Sequence, residues 1–261
     1  MNGWHGDIAT LTATPSSAGG IRHARIGLLA LATDLASESD LPQLLPDDVD
    51  LYASRLDYRN PVTVETLRAM AGSIESETAK LLPGGELDAV IYGCTSGTAA
   101  IGEGEIARLI HQVRPGIAVT TPLGACREAL RSLEVRRVAV LTPYTPAVTR
   151  SVVEQVEGFG CSVTNVACFD LESDYDMAAL SPEALLEGGR QVLDEDADAL
   201  FVSCTALRAS GFVDLLENQL GRPVVASNQA LAWHAIRLMG RDDAVAGAGR
   251  LMHMPLPGDS A

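Results

Sequence analysis

Residues 87–96 read LDAVIYGCTS, and residues 197–206 repeat the pattern as ADALFVSCTA. In each segment an apolar run of strand length ends in a small residue, which is followed by a cysteine and a threonine. A short apolar run of this kind is typical of a buried strand in a parallel sheet. The repeat therefore predicts two matching strands, each followed at once by a thiol, Cys94 in one and Cys204 in the other. Thiols at both strand ends suggest a reaction centre with two opposed sides.

The duplication extends over most of the chain. Residues 25–33 (RIGLLALAT) parallel residues 137–145 (RVAVLTPYT), and the first residue of each segment precedes its cysteine by a similar distance, 69 and 67 residues. A third pair, 117–121 (IAVTT) and 223–226 (PVVA), follows the two cysteines. Self-similarity at this long period predicts two copies of a domain, because the repeats of a solenoid are much shorter.

Composition narrows the class of protein. The chain has 261 residues, of which 47% are hydrophobic and only 4% aromatic, a balance that suits small-residue helices packed on parallel sheets. Its formal net charge of −15, with 19 basic against 34 acidic residues, disfavours nucleic acids and anionic membranes as partners. We find neither a stretch apolar enough to span a membrane nor the features of a signal peptide. The expected location is therefore the cytoplasm.

The five cysteines show no spacing typical of a metal site or of a disulfide framework. In a reducing compartment they are expected to be free thiols. Cys126, Cys161 and Cys168 lie in apolar helix-like or strand-like contexts, where a buried structural role is the simplest interpretation. Phosphate-binding glycine loops, zinc-protease motifs and the serine nucleophile elbow are absent from the sequence.

Strand-like and helix-like segments alternate from Arg25 onward, whereas residues 1–23 lack periodicity and are expected to form an extended or poorly ordered arm. The alternation predicts an α/β fold with parallel sheets, in which ligands bind beyond the carboxyl ends of the strands. Both predicted thiols lie at that edge. The predicted strands are 25–32, 48–55, 87–92, 117–121, 136–141, 162–168, 198–203 and 223–226, and the predicted helices are 62–82, 98–113, 122–132, 146–159, 182–194 and 227–239.

Three segments in the same order, GCTSGT at 93–98, LTPYT at 141–145 and SCT at 203–205, resemble the aspartate/glutamate racemase superfamily. The resemblance is to the branch that contains maleate cis-trans isomerase, arylmalonate decarboxylase and the ectoine-utilisation protein, and it runs from about Arg25 to Met239. It implies two flavodoxin-like domains related by a pseudo-twofold axis, with the active site in the cleft between them. It also implies that no metal and no organic cofactor is used, and it leaves a homodimer open.

The resemblance further implies a domain division. The strand at 117–121 would begin the second domain, and the last strand and helix, about 223–239, would return to the first. The first domain would then comprise residues 1–115 and 223–261, with the arm to about 23 and a tail from about 240. The second would comprise residues 116–222.

Opposed thiols suit chemistry beside a carboxylate. Inversion at an acidic carbon needs a base on one face and an acid on the other, and two thiols can exchange those roles. A thiol at a helix N-terminus has a lowered pKa, so we expect a thiolate to be accessible near neutral pH. A thiolate can also add to a double bond, permit rotation and leave, as the maleate-isomerase branch implies. By resemblance, Cys94 would be the nucleophile or first base and Cys204 the opposing acid or base.

The same resemblance assigns the groups that bind the substrate, and each assignment has a structural alternative. The residues that follow the thiols would hold carboxylate oxygens through hydroxyls and backbone amides. Tyr144 would reach over the substrate or, alternatively, cap a strand end. The two threonines after the cysteines could equally serve as caps or turn residues. The substrate-binding residues so assigned are Thr33, Asp34, Thr95, Ser96, Tyr144, Thr145, Thr205 and Ala206.

Asp34 stands where maleate isomerases carry a carboxylate-binding Asn. A negative charge there would repel a dianion such as maleate and favour a substrate with a cationic group. The ATD sequence at 32–34 resembles the ectoine-utilisation group, and ectoine carries a carboxylate beside a charged cyclic amidine. The alternative is that Asp34 only caps the following helix.

The leading hypothesis is thus a cofactor-independent isomerase or racemase of a small carboxylate that is amino-acid-like or ectoine-like. The first alternative is a maleate cis-trans isomerase or an arylmalonate decarboxylase-like lyase. The second is a small-molecule binding protein, since two α/β lobes around a cleft also describe solute receptors. Arylmalonate decarboxylases generally keep only the thiol that corresponds to Cys204, so the presence of both thiols favours the isomerase.

Overall fold

The computed structural model describes residues 8–12 and 23–258. Within them, eight strands form two four-stranded parallel sheets with helices on their faces, which confirms the predicted α/β class. The strands are β1 (Ala24–Leu31), β2 (Val49–Leu56), β3 (Ala89–Tyr92), β4 (Ala118–Thr120), β5 (Arg137–Tyr144), β6 (Ser162–Leu171), β7 (Ala199–Val202) and β8 (Val224–Ala226). The helices are α1 (Ser37–Leu44), α2 (Val64–Ala69), α3 (Ala71–Lys80), α4 (Thr95–Ile101), α5 (Glu103–Val113), α6 (Pro122–Ser132), α7 (Pro146–Glu157), α8 (Asp174–Ala178), α9 (Pro182–Val192), α10 (Val213–Leu220) and α11 (Ser227–Leu238).

The two sheets repeat one topology, with strand orders β2-β1-β3-β4 and β6-β5-β7-β8. Every residue of β3 and of β7 is buried, because helices cover both faces of each sheet. β3 lies beside β1 with Ile26 opposite Ala89, and β7 lies beside β5 with Val138 opposite Ala199. The internal repeat seen in the sequence is therefore a repeat of sheet architecture.

The sheet pairing corrects the predicted position of two strands. The strand at 117–121 was expected to begin the second domain, yet β4 pairs with β3 and completes the first sheet, with Ala89 opposite Ala118. The strand at 223–226 was expected to return to the first domain, yet β8 pairs with β7 and completes the second. The physical reason is that the crossover through α4 and α5 brings the chain back beside the open edge of β3.

Helices, by contrast, do cross between the two halves. α11, which follows β8, packs against β3 and β4 of the first sheet as well as against α6. α6, which follows β4, packs against β8 of the second sheet. The helix that follows the last strand of each sheet thus packs against the other sheet. These two helices, α6 and α11, fix the sheets against each other at the edge where the thiols lie.

Some predicted helices are divided, and three short helices were missed. The predicted helix 62–82 is two helices, α2 and α3, and the predicted helix 98–113 breaks at Gly102, whose φ of 96° ends α4. α1, α8 and α10 were not predicted, because each is too short to show a helical period. α1 also contains Pro42, a residue that normally signals a helix end.

The two predicted ends of the chain have different outcomes. Most of the predicted N-terminal arm, residues 1–7 and 13–22, lies outside the described residues. From residue 240 to 258 the predicted tail is packed against α11, because Leu251 and Met252 are buried and the Arg237 guanidinium donates to the carbonyl groups of Met252 and Met254. Over the described ranges, none of the helices has the length and apolarity that crossing a membrane requires.

Candidate active site

Cys94 lies where β3 ends and α4 begins. It is the N-cap residue of α4, and its Sγ accepts a hydrogen bond from the Gly97 N–H at 3.2 Å, with the Ser96 hydroxyl 3.6 Å away. Gly93 lets this turn press against the sheet, since a Cβ there would lie 3.1 Å from the Leu29 carbonyl oxygen. The small residue before the cysteine is therefore what brings the first thiol close to the strands.

Cys204 occupies the equivalent turn after β7, with a different backbone. Its φ of 141° is in a region that residues other than glycine rarely adopt. The Sγ accepts a hydrogen bond from the Ala206 N–H at 3.3 Å, and the Cys204 N–H donates to the Ser227 Oγ at 3.0 Å. The surrounding hydrogen bonds thus hold the second thiol in a strained turn.

Two side-chain contacts join the thiol turns across the halves. The Ser227 Oγ, at the start of α11, accepts hydrogen bonds from the Cys204 N–H and from the Thr95 hydroxyl, both at 3.0 Å. The Thr205 hydroxyl donates to the Gly93 carbonyl at 2.9 Å. The two thiols predicted from distant segments are therefore brought together on one frame.

Both thiols are almost completely enclosed, with 3% of Cys94 and 5% of Cys204 exposed. The enclosure is polar rather than purely aliphatic. Tyr58 and Tyr144 are buried beside the thiols, interact electrostatically with both of them, and have hydroxyls without a well-formed hydrogen bond to any described residue. Such groups remain available to a ligand, so the structure has the features of a closed reaction site.

Burial changes the expected acidity of the thiols. It raises the pKa of Cys94 to about 12, against the lowering effect of the Gly97 N–H, and the carboxyl groups of Asp174 and Asp34 raise it further. Burial also raises the pKa of Cys204, although the Tyr144 hydroxyl opposes the shift. The expectation of a thiolate near neutral pH is therefore wrong for this structure, because desolvation outweighs the helix N-terminus.

Two acidic side chains complete the site. Asp34 Oδ1 accepts hydrogen bonds from the N–H groups of Ala36 and Ser37 at 2.7 and 2.9 Å, so this oxygen stabilises the turn before α1, although the N-cap residue of that helix is Ala36. Asp34 Oδ2 is buried without a well-formed hydrogen bond to any described residue, and the Ser37 hydroxyl interacts with the carboxyl group and lowers its pKa. Asp174, contributed by the second half, accepts a hydrogen bond from the Thr33 hydroxyl and interacts electrostatically with Asp34. Burial raises the pKa of both carboxyl groups.

The structure places nearly all of the predicted site residues at this centre. Thr95, Thr205 and Ala206 make the contacts between and around the thiol turns, and Ser96 lies beside Cys94. Thr145 differs, because it is the N-cap residue of α7 and its side chain makes no capping hydrogen bond.

Three residues of the site were not predicted: Tyr58, Asp174 and Ser227. Each lies within three residues of the carboxyl end of a strand, after β2, β6 and β8 respectively. The rule that ligands bind beyond those ends could have indicated them.

Over residues 8–12 and 23–258, no group of three or more His, Cys, Asp or Glu side chains could hold a metal ion. A surface depression of about 670 Å³ lies at the opposite strand ends, lined by residues 85–88 and 113–118, and is remote from the thiols.

Comparison with known proteins identifies the family of the chain. A family model described as arylmalonate decarboxylase matches residues 27–252. A maleate isomerase of Nocardia farcinica is 28% identical over 248 residues, which cover 89% of this chain and 96% of the relative. An arylmalonate decarboxylase of Bordetella bronchiseptica is 29% identical over 127 residues, covering 48% of this chain and 53% of the relative.

A solved structure shares the fold at lower identity. The Nocardia farcinica maleate cis-trans isomerase, as a cysteine-to-serine mutant with a covalently bound succinylcysteine intermediate, matches with a TM-score of 0.81 at 23% identity. The match covers 88% of this chain and 98% of that chain. The two-sheet architecture described above is thus that of maleate isomerases.

Proposed function

Because the chain belongs to the arylmalonate decarboxylase family, we propose that it is a cofactor-independent isomerase of a small carboxylate, with Cys94 and Cys204 as its reacting groups. The observation that carries the proposal is the convergence of two thiols from opposite halves on one hydrogen-bonded frame. A binding protein has no need of paired thiols at equivalent strand ends. The related maleate isomerases also match over nearly their whole length, whereas the decarboxylase matches over about half.

The chemistry can follow either of two balanced routes. In proton transfer, the thiolate of Cys94 removes the proton beside the carboxylate, an enediolate forms, and Cys204 returns a proton from the other face. In the second route, which is addition to a double bond, the Cys94 thiolate forms a C–S bond to one carbon of that bond while the electron pair moves toward the carboxylate. Rotation about the new single bond and cleavage of the C–S bond then give the isomer. Both routes begin with a thiolate.

The N–H groups at the two turns are placed to stabilise such thiolates. Gly97 donates to the first sulfur and Ala206 to the second. With a pKa of about 12, forming the Cys94 thiolate at pH 7 costs about 7 kcal/mol. Substrate binding must therefore lower this cost, either by adding a favourable charge or by opening the site before the proton leaves.

The proposal includes the type of reaction and the class of substrate. We favour racemisation or cis-trans isomerisation of an amino-acid-like or ectoine-like carboxylate, as expected from Asp34. Decarboxylation is the second candidate, supported by the match to the arylmalonate decarboxylase. A cytoplasmic location and a homodimer remain predictions.

Proton NMR in deuterium oxide tests the function. The purified protein is incubated with a panel of chiral and unsaturated carboxylates, and exchange of the α-proton or cis-trans conversion is the expected result. Cys94→Ser and Cys204→Ser should each abolish turnover, while Cys168→Ser, a partly exposed thiol, is the matched control and should retain it. Release of carbon dioxide would identify a decarboxylase instead. Unchanged turnover in both active-site variants would refute the proposal.

A further inference from the structure

We propose that Asp34 and Asp174 form an acidic subsite beside the thiols that binds the cationic group of a zwitterionic carboxylate substrate. This inference rests on the proposed function, because it names the substrate class of the same site. It assigns a specificity role to Asp174, which comes from the opposite half of the molecule, and it adds a second charge to the one expected from Asp34.

Asp174 is fixed in a position from which it can act on a ligand. It is the first residue of α8 and only 5% exposed. Its backbone N–H donates to the Asn60 Oδ1 at 3.2 Å, and its side chain accepts from the Thr33 hydroxyl, so both contacts come from the first half. The Val62 N–H also donates to the Glu172 carbonyl at 2.8 Å. The carboxyl group is thus held at the boundary between the halves.

Asp34 provides an independent observation. One oxygen is saturated by two backbone N–H groups, but Oδ2 is buried without a well-formed hydrogen bond to any described residue, and only the Ser37 hydroxyl interacts with the carboxyl group from a neighbouring side chain. A buried carboxylate oxygen without a hydrogen bond is costly, and proteins rarely leave one unless a ligand or water satisfies it. The same side chain interacts electrostatically with Asp174 and with Cys94, and Thr33, the residue before it, donates its hydroxyl hydrogen bond to Asp174.

Among the described residues no cation pairs with either carboxyl group. Arg55 is the nearest candidate, but its Nη1 donates to the carbonyl groups of Ala32 and Asp34, and its other nitrogens pair with Glu38. Arg55 therefore forms no ion pair with Asp34, although its charge still lowers the pKa of that carboxyl group in opposition to burial. The described groups that interact with the thiols are backbone N–H groups, the Ser96 hydroxyl, tyrosine hydroxyls and the two acids, and none of them carries a positive charge.

This distribution of charge discriminates between ligands. A dianion would bring two negative charges into an enclosed site that already contains two carboxyl groups, and repulsion is strong where water is excluded. A zwitterion can place its ammonium or amidinium group against the carboxyls and its carboxylate against the N–H and O–H groups at the thiol turns. A cation in that position also offsets the negative charge that opposes thiolate formation, so binding and activation are coupled.

Ligand binding to a variant that cannot convert its substrate tests the proposed acidic subsite. In the Cys94→Ser/Cys204→Ser variant, calorimetric titration compares four probes, namely 2-aminobutyrate and ectoine as zwitterions, 2-hydroxybutyrate as a monoanion and maleate as a dianion. At least one zwitterion is expected to bind more tightly than both anions. If the anions bind more tightly, or if none of the four binds, the proposal is wrong.

Isosteric variants of the two acids, made in the Cys94→Ser/Cys204→Ser protein, test whether the preference for zwitterions depends on Asp34 and Asp174. Asp34→Asn and Asp174→Asn keep an oxygen for the capping and Thr33 hydrogen bonds, so both should fold. Each is expected to weaken zwitterion binding on the order of 10- to 100-fold and to strengthen maleate binding. Asp198→Asn is the matched control, since Asp198 pairs with Arg137 at the opposite ends of the strands. An equal loss for all probes would indicate a merely structural role and would overturn the proposal.

The two proposals can fail separately. If zwitterions bind as expected but wild-type protein neither exchanges their α-proton nor isomerises them, the charge assignment stands and the isomerase function fails. If wild-type protein isomerises maleate efficiently and Asp174→Asn leaves that rate unchanged, the isomerase stands and the acidic subsite fails.

Discussion

Replacement of Ser227 by alanine tests whether the two thiol turns share one support. The Ser227 hydroxyl accepts from the Cys204 N–H and from the Thr95 hydroxyl, and the residue is only 1% exposed. In Ser227→Ala both donors remain buried without their acceptor. Each orphaned group costs about 1–3 kcal/mol, and some relaxation of the turns is expected, so the predicted loss of stability is about 3 kcal/mol. For a chain of this size that corresponds to a fall in Tm of about 6–12 °C.

The same substitution should also lower the turnover rate of the protein that remains folded. The strained Cys204 backbone, with its φ of 141°, loses the bond that holds its N–H, and the second sulfur should move relative to the first. Misplacement of a reacting group by about 1 Å can lower a rate on the order of 100-fold. Calorimetry gives the Tm, and α-proton exchange in deuterium oxide at 25 °C, where the variant is still folded, gives the rate.

Ser132→Ala is the matched control for this experiment. The Ser132 hydroxyl donates to the Pro255 carbonyl at 2.7 Å, away from the thiols, and its loss should cost about 1 kcal/mol without affecting turnover. Thr95→Val removes one of the two donors to Ser227, so its effect should be strongly non-additive with Ser227→Ala. If Ser227→Ala unfolds within about 0.5 kcal/mol of wild type and retains full turnover, the shared support does not exist.

Three further predictions concern acidity and packing. Iodoacetamide at pH 8 should label Cys168 well before Cys94, whose pKa of about 12 keeps it protonated, and peptide mass spectrometry should show Cys94 labelling accelerate as the pH rises. The pKa of His234, buried against Thr120, falls to about 4, below its unfolded value of about 6.5, so the unfolded state binds more protons between these values. The contribution of His234 to the free energy of unfolding should therefore be complete above pH 6.5 and should decrease by up to about 3 kcal/mol as the pH falls to 4. Urea unfolding at a series of pH values measures this change, and a free energy of unfolding that is constant over the range would contradict the assignment. Gly97→Ala should lower Tm and turnover together, because its Cβ would lie 2.5 Å from the Tyr92 hydroxyl and 3.0 Å from the Cys94 sulfur, whereas Gly104→Ala, with open space around it, should lower neither.

The local parts of the fold were predictable from the sequence because they depend on short patterns. Apolar runs identified all eight strands, and the repeat around Cys94 and Cys204 indicated that two halves would place equivalent thiols at strand ends. The resemblance to the maleate isomerase and arylmalonate decarboxylase branch is confirmed by the family match. The assignment of β4 and β8 to sheets was wrong, since strand pairing depends on contacts between distant segments that no local pattern records.

The electrostatics of the site were the least predictable part. Asp34 could be identified by its place after β1, but Asp174 lies in a short helix of the other half, and only the folded chain brings it to Thr33. The acidity of the thiols was predicted in the wrong direction, because a sequence shows that a cysteine precedes a helix but not how much water remains around it. Burial is a property of the assembled halves, and here it exceeds the effect of the helix N-terminus.

The closed state therefore imposes an order on any reaction at this centre. Burial raises the pKa of both thiols, and the Asp174 carboxyl group adds to the shift of each, so the site opposes thiolate formation. The contacts that enclose it also come from both halves, with Asn60 against Asp174 and Thr205 against Gly93. Selection of the substrate and activation of the thiol are then consequences of the same arrangement, because the cation that satisfies Asp34 and Asp174 is also the charge that makes a thiolate accessible.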